Sequence, residues 1–332
     1  MMRHLLTFML CLLWGSLGMV SAGTVWKDTL VVSRDGSGDY QTLTEAMEGI
    51  RAFMEYKVTV LIKPGVYKEK VVVPSWIQQV DFIGEDAENT ILTYDDHANI
   101  QKMGTFRTYT LKVEGNRITF KNLTIENNAA PLGQAVALHT EGDCLVFYRC
   151  RFLGNQDTVY TGAAGTRLYF KDCYIEGTTD FIFGPSTAVF DDCEIYSKRD
   201  SYITAASTPS TSKVGYVFRN CKLSAADSVK HVYLGRPWRP YAATVFINCE
   251  MGSHIRPEGW HNWKNAANEK TARYAEYGCY GAGAAADARV KWSRQLTAEE
   301  AARYADWSYL FYQSCDWMPV VNFNSSLKIR QA

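Results

Sequence analysis

Apolar and polar positions alternate with a period of two along most of this chain, in short runs broken by turn residues. Arg167-Leu168-Tyr169-Phe170 and Tyr174-Ile175 are two such runs. That period predicts strands with one buried face. Within it one phrase recurs: an aromatic, polar residues, a cysteine, then renewed alternation. It stands at Phe147-Tyr148-Arg149-Cys150, Phe170-Lys171-Asp172-Cys173, Phe190-Asp191-Asp192-Cys193, Phe218-Arg219-Asn220-Cys221 and Phe246-Ile247-Asn248-Cys249. An earlier copy, Phe120-Lys121-Asn122-Leu123, has leucine for cysteine. Successive phenylalanines lie 27, 23, 20, 28 and 28 residues apart. A period in the twenties built from strands predicts a β-solenoid, whose coils bury a continuous core only when stacked. Phenylalanines and cysteines at one phase then form inward ladders, free cysteine being a small, well-buried apolar residue. The fixed leucine offsets of a leucine-rich repeat are missing. The expectation is an all-β chain, a single-stranded right-handed parallel β-helix, with its hand set by the crossover rule.

Two flanks depart from this pattern. Thr42-Leu43-Thr44-Glu45 is a capping box, and Ala46, Met47, Ile50, Phe53 and Met54 follow at helical spacing. This predicts a short helix over the N-terminal end, where an open solenoid exposes sheet edges. Thr297-Ala298-Glu299-Glu300 is a second capping box, predicting a C-terminal helix. Trp260 to Gly283 shows no clear period and reads as loop packed along the barrel. Residues 1–22 read as a signal peptide: Arg3 and His4, the apolar run Leu5 to Trp14, then Val20-Ser21-Ala22 as cleavage pattern. Residues 23–332 are then expected to form one β-helix domain, exported to the periplasm or secreted, with no membrane anchor and as a monomer. Asp35-Gly36-Ser37-Gly38-Asp39 reads as a polar turn after a strand.

Charge narrows the function. Lys+Arg and Asp+Glu are equal at 35 each. That leaves no basic stripe for nucleic acid, and any affinity for an acidic polymer must be local. Nine cysteines are present, and Cys11 falls in the signal segment. No Gly-x-Ser-x-Gly elbow, His-Glu-x-x-His, Cys-x-x-Cys or Walker loop is present, so neither a serine esterase nor a zinc or nucleotide site is indicated. No metal and no cofactor is expected.

The positive signal is a pair of carboxylates. Asp157 lies ten residues after Phe147, and Asp180 ten after Phe170. If the phenylalanines stack, these aspartates sit on neighbouring coils about 4.8 Å apart. Two carboxylates so placed cannot both ionise easily, which suits one nucleophile or base and one acid. Asp200 also lies ten residues after Phe190, so phase alone does not single out the pair. Asp180 opens the apolar run Phe181-Ile182-Phe183, where a charge needs a partner. Arg236, in Leu234-Gly235-Arg236-Pro237-Trp238, can clamp it bidentately and leave the shared proton on Asp157. Gln134 and Gln156 are neutral amide donors able to stabilise an oxyanion.

The ordered motifs resemble the pectin methylesterase family. They are Gly65-Val66-Tyr67-Lys68-Glu69, Gln134 to Leu138, Gln156-Asp157-Thr158-Val159, Asp180 to Gly184, and Leu234 to Trp238. Thr105-Phe106-Arg107 and Pro257 to Trp263 fit as well, and the resemblance runs from about Val31 to Trp317. It implies hydrolysis of galacturonate methyl esters in homogalacturonan (pectin), with Asp180 as nucleophile and Asp157 as acid, then base. It implies Gln134 and Gln156 as oxyanion donors and Arg236 as the residue orienting Asp180. It implies Phe183, Trp238, Thr105, Gln134 and Arg236 as substrate contacts. Cys150 and Cys173 match a disulfide pair of plant members, and a reduced ladder fits them equally. Val159, Pro185-Ser186 and Thr179 depart from the family pattern without removing a catalytic group. A pectate lyase or polygalacturonase, an acyl-CoA thioesterase and a non-catalytic glycan-binding solenoid are the competing readings. A lyase needs calcium carboxylates, a thioesterase an apolar tunnel, and a binding module no acid pair at all.

Overall fold

The computed structural model describes residues 27–311 and 317–319, and the chain is a right-handed parallel β-helix. The expected signal segment lies outside the described residues. Three parallel sheets of 11, 8 and 7 strands run along the solenoid. Each coil visits them in turn, as Leu145–Tyr148, Arg151–Leu153 and Val159–Thr161 do.

The phenylalanine phase is the register of the 11-stranded sheet. Phe82, Phe120, Phe147, Phe170, Phe190, Phe218 and Phe246 are successive cross-strand partners. Their rings stack at centroid separations from 4.4 to 5.3 Å. Such pairs contribute about 0.5–1.5 kcal/mol each beyond the area they bury. Phe82 is a further copy of the phrase, hidden because Glu85 replaces the cysteine.

The polar slot before each cysteine has its own reason. Asn122, Arg149, Asp172, Asp192, Asn220 and Asn248 all have φ of 52–53°, and Gly278 continues the column at 62°. Left-handed backbone is most accessible to Asn, Asp and Gly, so the turn selects them. Each turn swings the chain from the 11-stranded to the 8-stranded sheet. Of the cysteines that follow, Cys150, Cys173, Cys193, Cys221 and Cys249 are buried free thiols and Cys279 a half-buried one. The Cys173 thiol donates to the Phe147 carbonyl at 3.4 Å and that of Cys150 to Phe120 at 3.5 Å. The reduced ladder, not a Cys150–Cys173 bridge, is therefore the state in this structure.

Two expectations need correction. The N-terminal helix has its capping box but spans only Leu43–Gly49. Ile50 and Met54 reach the core from non-helical chain, while Phe53 is exposed with φ 54°. Gly49 marks the break: a Cβ there would lie 1.9 Å from the Tyr40 hydroxyl, so only glycine lets Tyr40 pack. Nor is Trp260 to Gly283 simply loop. Arg273–Tyr277 is a strand paired in register with Ala243–Ile247. Glu276 stands opposite Phe246, and that substitution at the phenylalanine position is what hid the coil. The second capping box heads a helix at Ala298–Ala302, as expected.

Candidate active site

The 7-stranded sheet carries the candidate chemistry. Val159 pairs with Ile182, Ile182 with Thr204, and Thr204 with Gly235. Two residues before each of these stand Asp157, Asp180, Tyr202 and Tyr233. The two aspartates are thus equivalent positions on adjacent coils, one strand spacing of about 4.8 Å apart. Asp200 is excluded by register. Ile175 and Ile195 are partners, yet Asp180 follows the first by five residues and Tyr202 follows the second by seven. The two extra residues put Tyr202, not Asp200, in the aspartate column. Asp200 is exposed and accepts hydrogen bonds from the Lys230 and His231 amides at 2.7 and 2.8 Å, anchoring a turn.

Both aspartates have left-handed backbone, with φ 66° at Asp157 and 48° at Asp180. Aspartate tolerates this better than most residues, and such backbone concentrates at functional sites. The ladder still passes through them. The Asp157 amide donates to the Thr179 carbonyl at 3.0 Å, and that of Asp180 to Tyr202 at 2.8 Å.

Arg236 meets Asp180 as the sequence suggested. Its Nε donates to Oδ1 at 2.9 Å and its Nη2 to Oδ2 at 2.6 Å. The arginine follows the strand Tyr233–Gly235, and its own amide is fixed on the Thr204 carbonyl at 2.9 Å. The faces of the guanidinium are covered as well, Tyr202 at 3.9 Å and Trp263 at 3.7 Å to the ring centroids. The Asp157 carboxyl, by contrast, has no hydrogen-bond or ion-pair partner among the described residues.

The electrostatics follow from this asymmetry. Burial pushes the Asp157 carboxyl well above the usual carboxylate range, and the neighbouring Asp180 charge pushes it further. Arg236 offsets this only in part. Burial also raises Asp180, against the hydrogen bonds and charge of Arg236. The two titrate as a unit. In the singly protonated pair the proton resides on Asp157 and the charge on Asp180.

Gln134 and Gln156 lie on neighbouring coils, each ahead of a strand of the same sheet. Gln156 precedes Asp157 in the chain, and its carbonyl takes the Ala135 amide at 3.0 Å. Both side chains are half-buried, and their amides make no hydrogen bond among the described residues. Beside the aspartates runs an outward aromatic strip. Phe106 lies 4.9 Å from Tyr160, Tyr160 4.8 Å from Phe183, and Phe183 5.8 Å from Trp238. Thr105 begins the short turn Thr105–Arg107 that carries Phe106, and so stands at one end of the strip. Gly184 closes the strand after Phe183 with φ 132°, where a Cβ would meet the Thr161 carbonyl oxygen at 2.2 Å. Ser186 is buried and its hydroxyl reaches the Gly162 carbonyl at 2.6 Å, so Pro185-Ser186 is pinned to the preceding coil.

Sequence reasoning missed Phe106 and Tyr160 as members of the strip, missed Tyr202 altogether, and named Trp263 only as the end of the motif Pro257 to Trp263, with no role. Tyr202 was findable only by counting from Ile195 rather than Phe190. Trp263 belongs to the stretch read as loop.

Known proteins match this chain over most of its length. The family described as Pectinesterase matches residues 29–313. Pectinesterase 31 of Arabidopsis thaliana is 39% identical over 290 residues, covering 84% of this chain and 91% of its own. Pectin methylesterase from carrot has a TM-score of 0.80 at 32% identity, covering 85% of this chain and 92% of that one. A pectin methylesterase in complex with a hexasaccharide has a TM-score of 0.74 at 29% identity, covering 88% of this chain and 98% of that one. With the family matched over residues 29–313 and a relative 39% identical over most of both chains, this chain belongs to the pectinesterase family.

Proposed function

We propose that this protein hydrolyses the methyl esters of galacturonate units in pectin, releasing methanol and leaving the polymer uncut. The observation that carries this reading is the asymmetric pair: Asp180 locked to Arg236, and one coil away a buried Asp157 carboxyl with no partner. That pair supplies a charged nucleophile and a neutral acid at once.

In this reading an Asp180 oxygen attacks the ester carbon, and Gln134 and Gln156 donate to the oxyanion that forms. Such donors contribute about 2.7–4 kcal/mol each. The C–O bond to the methoxy group then breaks, and Asp157 gives its proton to the leaving methanol. The ionised Asp157 next takes a proton from water. The resulting hydroxide attacks the acyl carbon and releases the Asp180 carboxylate. Arg236 holds Asp180 in line. Phe183, Trp238 and Thr105 bind the sugar chain, and the hexasaccharide bound by a related pectin methylesterase supports an oligosaccharide-sized groove. The protein acts as an exported monomer, periplasmic or secreted, and the segment 1–22 supports export.

The rate then depends on pH in a bell. Below the lower transition of the pair both carboxyls are protonated and the nucleophile is lost. Above the upper transition both are ionised and the acid is lost. Burial raises both groups, so the active window lies above the ordinary aspartate range.

The test is incubation of the purified mature protein with highly methylated pectin in EDTA. Methanol release, chain length and unsaturated uronide absorbance are followed together. Methanol with unchanged chain length is expected. Shortened or unsaturated chains without methanol would replace this reading with a depolymerase, and no change at all would favour a glycan-binding solenoid.

A further inference from the structure

Trp263 and Lys264 are consecutive residues with φ of 59° and 56°. Left-handed backbone is an outlier for a bulky residue and persists only where the surroundings enforce it. The enforcement is visible. The Trp263 amide donates to His261 Nδ1 at 3.1 Å, and the Lys264 amide to Asn262 Oδ1 at 2.9 Å. Asn262 is itself held, its side chain donating to Glu269 at 2.7 Å and its carbonyl accepting from Asn268 Nδ2 at 3.1 Å. The turn is tied to the sheet beside Arg236, since the His261 amide donates to the Gly235 carbonyl at 3.1 Å. The His261 ring packs against Tyr202 at 5.4 Å and Tyr233 at 5.3 Å.

Trp263 is only half-buried, at the edge of the small cluster Val136, Phe183 and Ala205, so burial alone does not call for this strain. What the turn achieves is the placement of an indole 3.7 Å from the Arg236 guanidinium carbon, opposite Tyr202. An arginine with both faces covered and one edge bonded twice to a carboxylate has little freedom to swing. We propose that Trp263, fixed in its turn by His261, is a positioning residue: with Tyr202 it holds Arg236 in the plane in which two nitrogens reach Asp180.

This rests on the reading of Asp180 as nucleophile. His261 can accept from Trp263 only while Nδ1 is unprotonated. Burial and the cations Arg236, Lys264 and Arg256 hold it below the usual imidazole range. The titratable and charged groups facing this cluster are Asp157, Tyr202, Tyr233, His261, Lys264, Arg256, Glu269 and the buried Tyr274. Of these and Asp180, which Arg236 holds, only Asp157 and Asp180 change charge in the reaction as read above. Loosening Arg236 removes the main opposition to burial at Asp180, so its ionisation moves to higher pH.

The experiment is the pH profile of kcat and KM on methylated pectin for the mature protein and variants of checked fold. Trp263→Leu should move the acid limb of kcat upward by about one pH unit, the size of a partly desolvated cation–π contact. On that limb kcat should fall about tenfold, with KM changed less than about twofold. Trp263→Phe should restore most of the shift. His261→Phe keeps the ring but removes the acceptor, and should move the limb the same way; it carries the test if Trp263→Leu does not fold. An unmoved acid limb overturns the proposal, as does a raised KM with an unchanged kcat profile, which would make Trp263 a sugar platform only. Asp180→Asn in the same series separates the two readings. If it stays active, the nucleophile assignment falls. If it is inactive and the limb is unmoved in Trp263→Leu, only the positioning role falls.

Discussion

Two of the arginine–carboxylate pairs in this solenoid have nearly the same hydrogen bonds and opposite surroundings. At the C-terminal end Arg289 holds Glu276, Nε to Oε1 at 2.8 Å and Nη2 to Oε2 at 3.0 Å. On the groove Arg236 holds Asp180 at 2.9 and 2.6 Å. The first pair is sealed, its side chains 2% and 4% exposed, and Arg289 also donates to the carbonyls of Arg256, Pro257 and Gly283. The second is 18% and 8% exposed, and Arg236 is covered by aromatic faces rather than carbonyls. It also has a second buried carboxyl, Asp157, one coil away. A closed pair ends the phenylalanine ladder where Glu276 replaces the ring. An open pair stays partly exposed and stands beside an acid with no partner among the described residues, which is what the proposed chemistry needs.

The comparison is tested most severely by neutralising the carboxylate of each pair. Asp180→Asn should lower methanol release by at least about 10⁴-fold, since removing a group that acts within a catalytic unit costs on that order. Its unfolding midpoint in urea should move little, because Arg236 keeps solvent access and two rings. Glu276→Gln should do the reverse. Breaking a buried pair by losing one partner costs about 3–5 kcal/mol, so the midpoint should fall sharply while the kcat of the folded fraction stays near that of the parent. Equal stability losses in the two variants would erase the distinction drawn here.

A smaller effect is expected at the amides. Gln134→Ala and Gln156→Ala should each reduce kcat by about 10²–10³-fold with KM little changed, the signature of a donor used in the transition state. A rise in KM alone would make them sugar contacts. Neither change should touch the Glu276 pair or the unfolding midpoint beyond about 0.5 kcal/mol.

The two pairs also differ in how far the sequence disclosed them. Arg236 and Asp180 were legible because an aspartate opening an apolar run demands a cation, and one stood in a stiff turn. Arg289 and Glu276 were not, because Glu276 occupies a phenylalanine position and breaks the very repeat that would have located it. The repeat gave the fold, since phenylalanine and cysteine spacing is the sheet register itself. It misled at Asp200, because ten residues from Phe190 is a count along a coil that carries two extra residues in its turn. It was silent on Trp263, whose role depends on left-handed backbone and on an imidazole acceptor, neither of which leaves a periodic trace. The column of left-handed turns was present as Asn and Asp before the cysteines, but Arg149 in the same slot obscured its meaning.

The finest test concerns Asp157, the group that makes the groove pair open. Its folded-state proton affinity is raised by burial first and by Asp180 second. The unfolded chain has no such environment and titrates near 3.9. Between that value and the raised folded one, the native state binds more protons than the unfolded state. Stability therefore falls as pH rises through this window, the opposite of a salt-bridged aspartate. Asp157→Asn keeps the shape and removes the ionisation. It should abolish most turnover, yet raise the unfolding midpoint above the parent's at neutral pH. The gain corresponds to about 1.4 kcal/mol for each pH unit by which the carboxyl has moved. The two midpoints should converge below about pH 4, where the carboxyl is protonated in both states. Glu276→Gln should show no such gain at any pH, because Arg289 already satisfies that carboxylate. A midpoint for Asp157→Asn that stays below the parent's at neutral pH would mean that Asp157 has a partner in the folded protein, and the contrast between the open and the closed pair would fail at its most specific point.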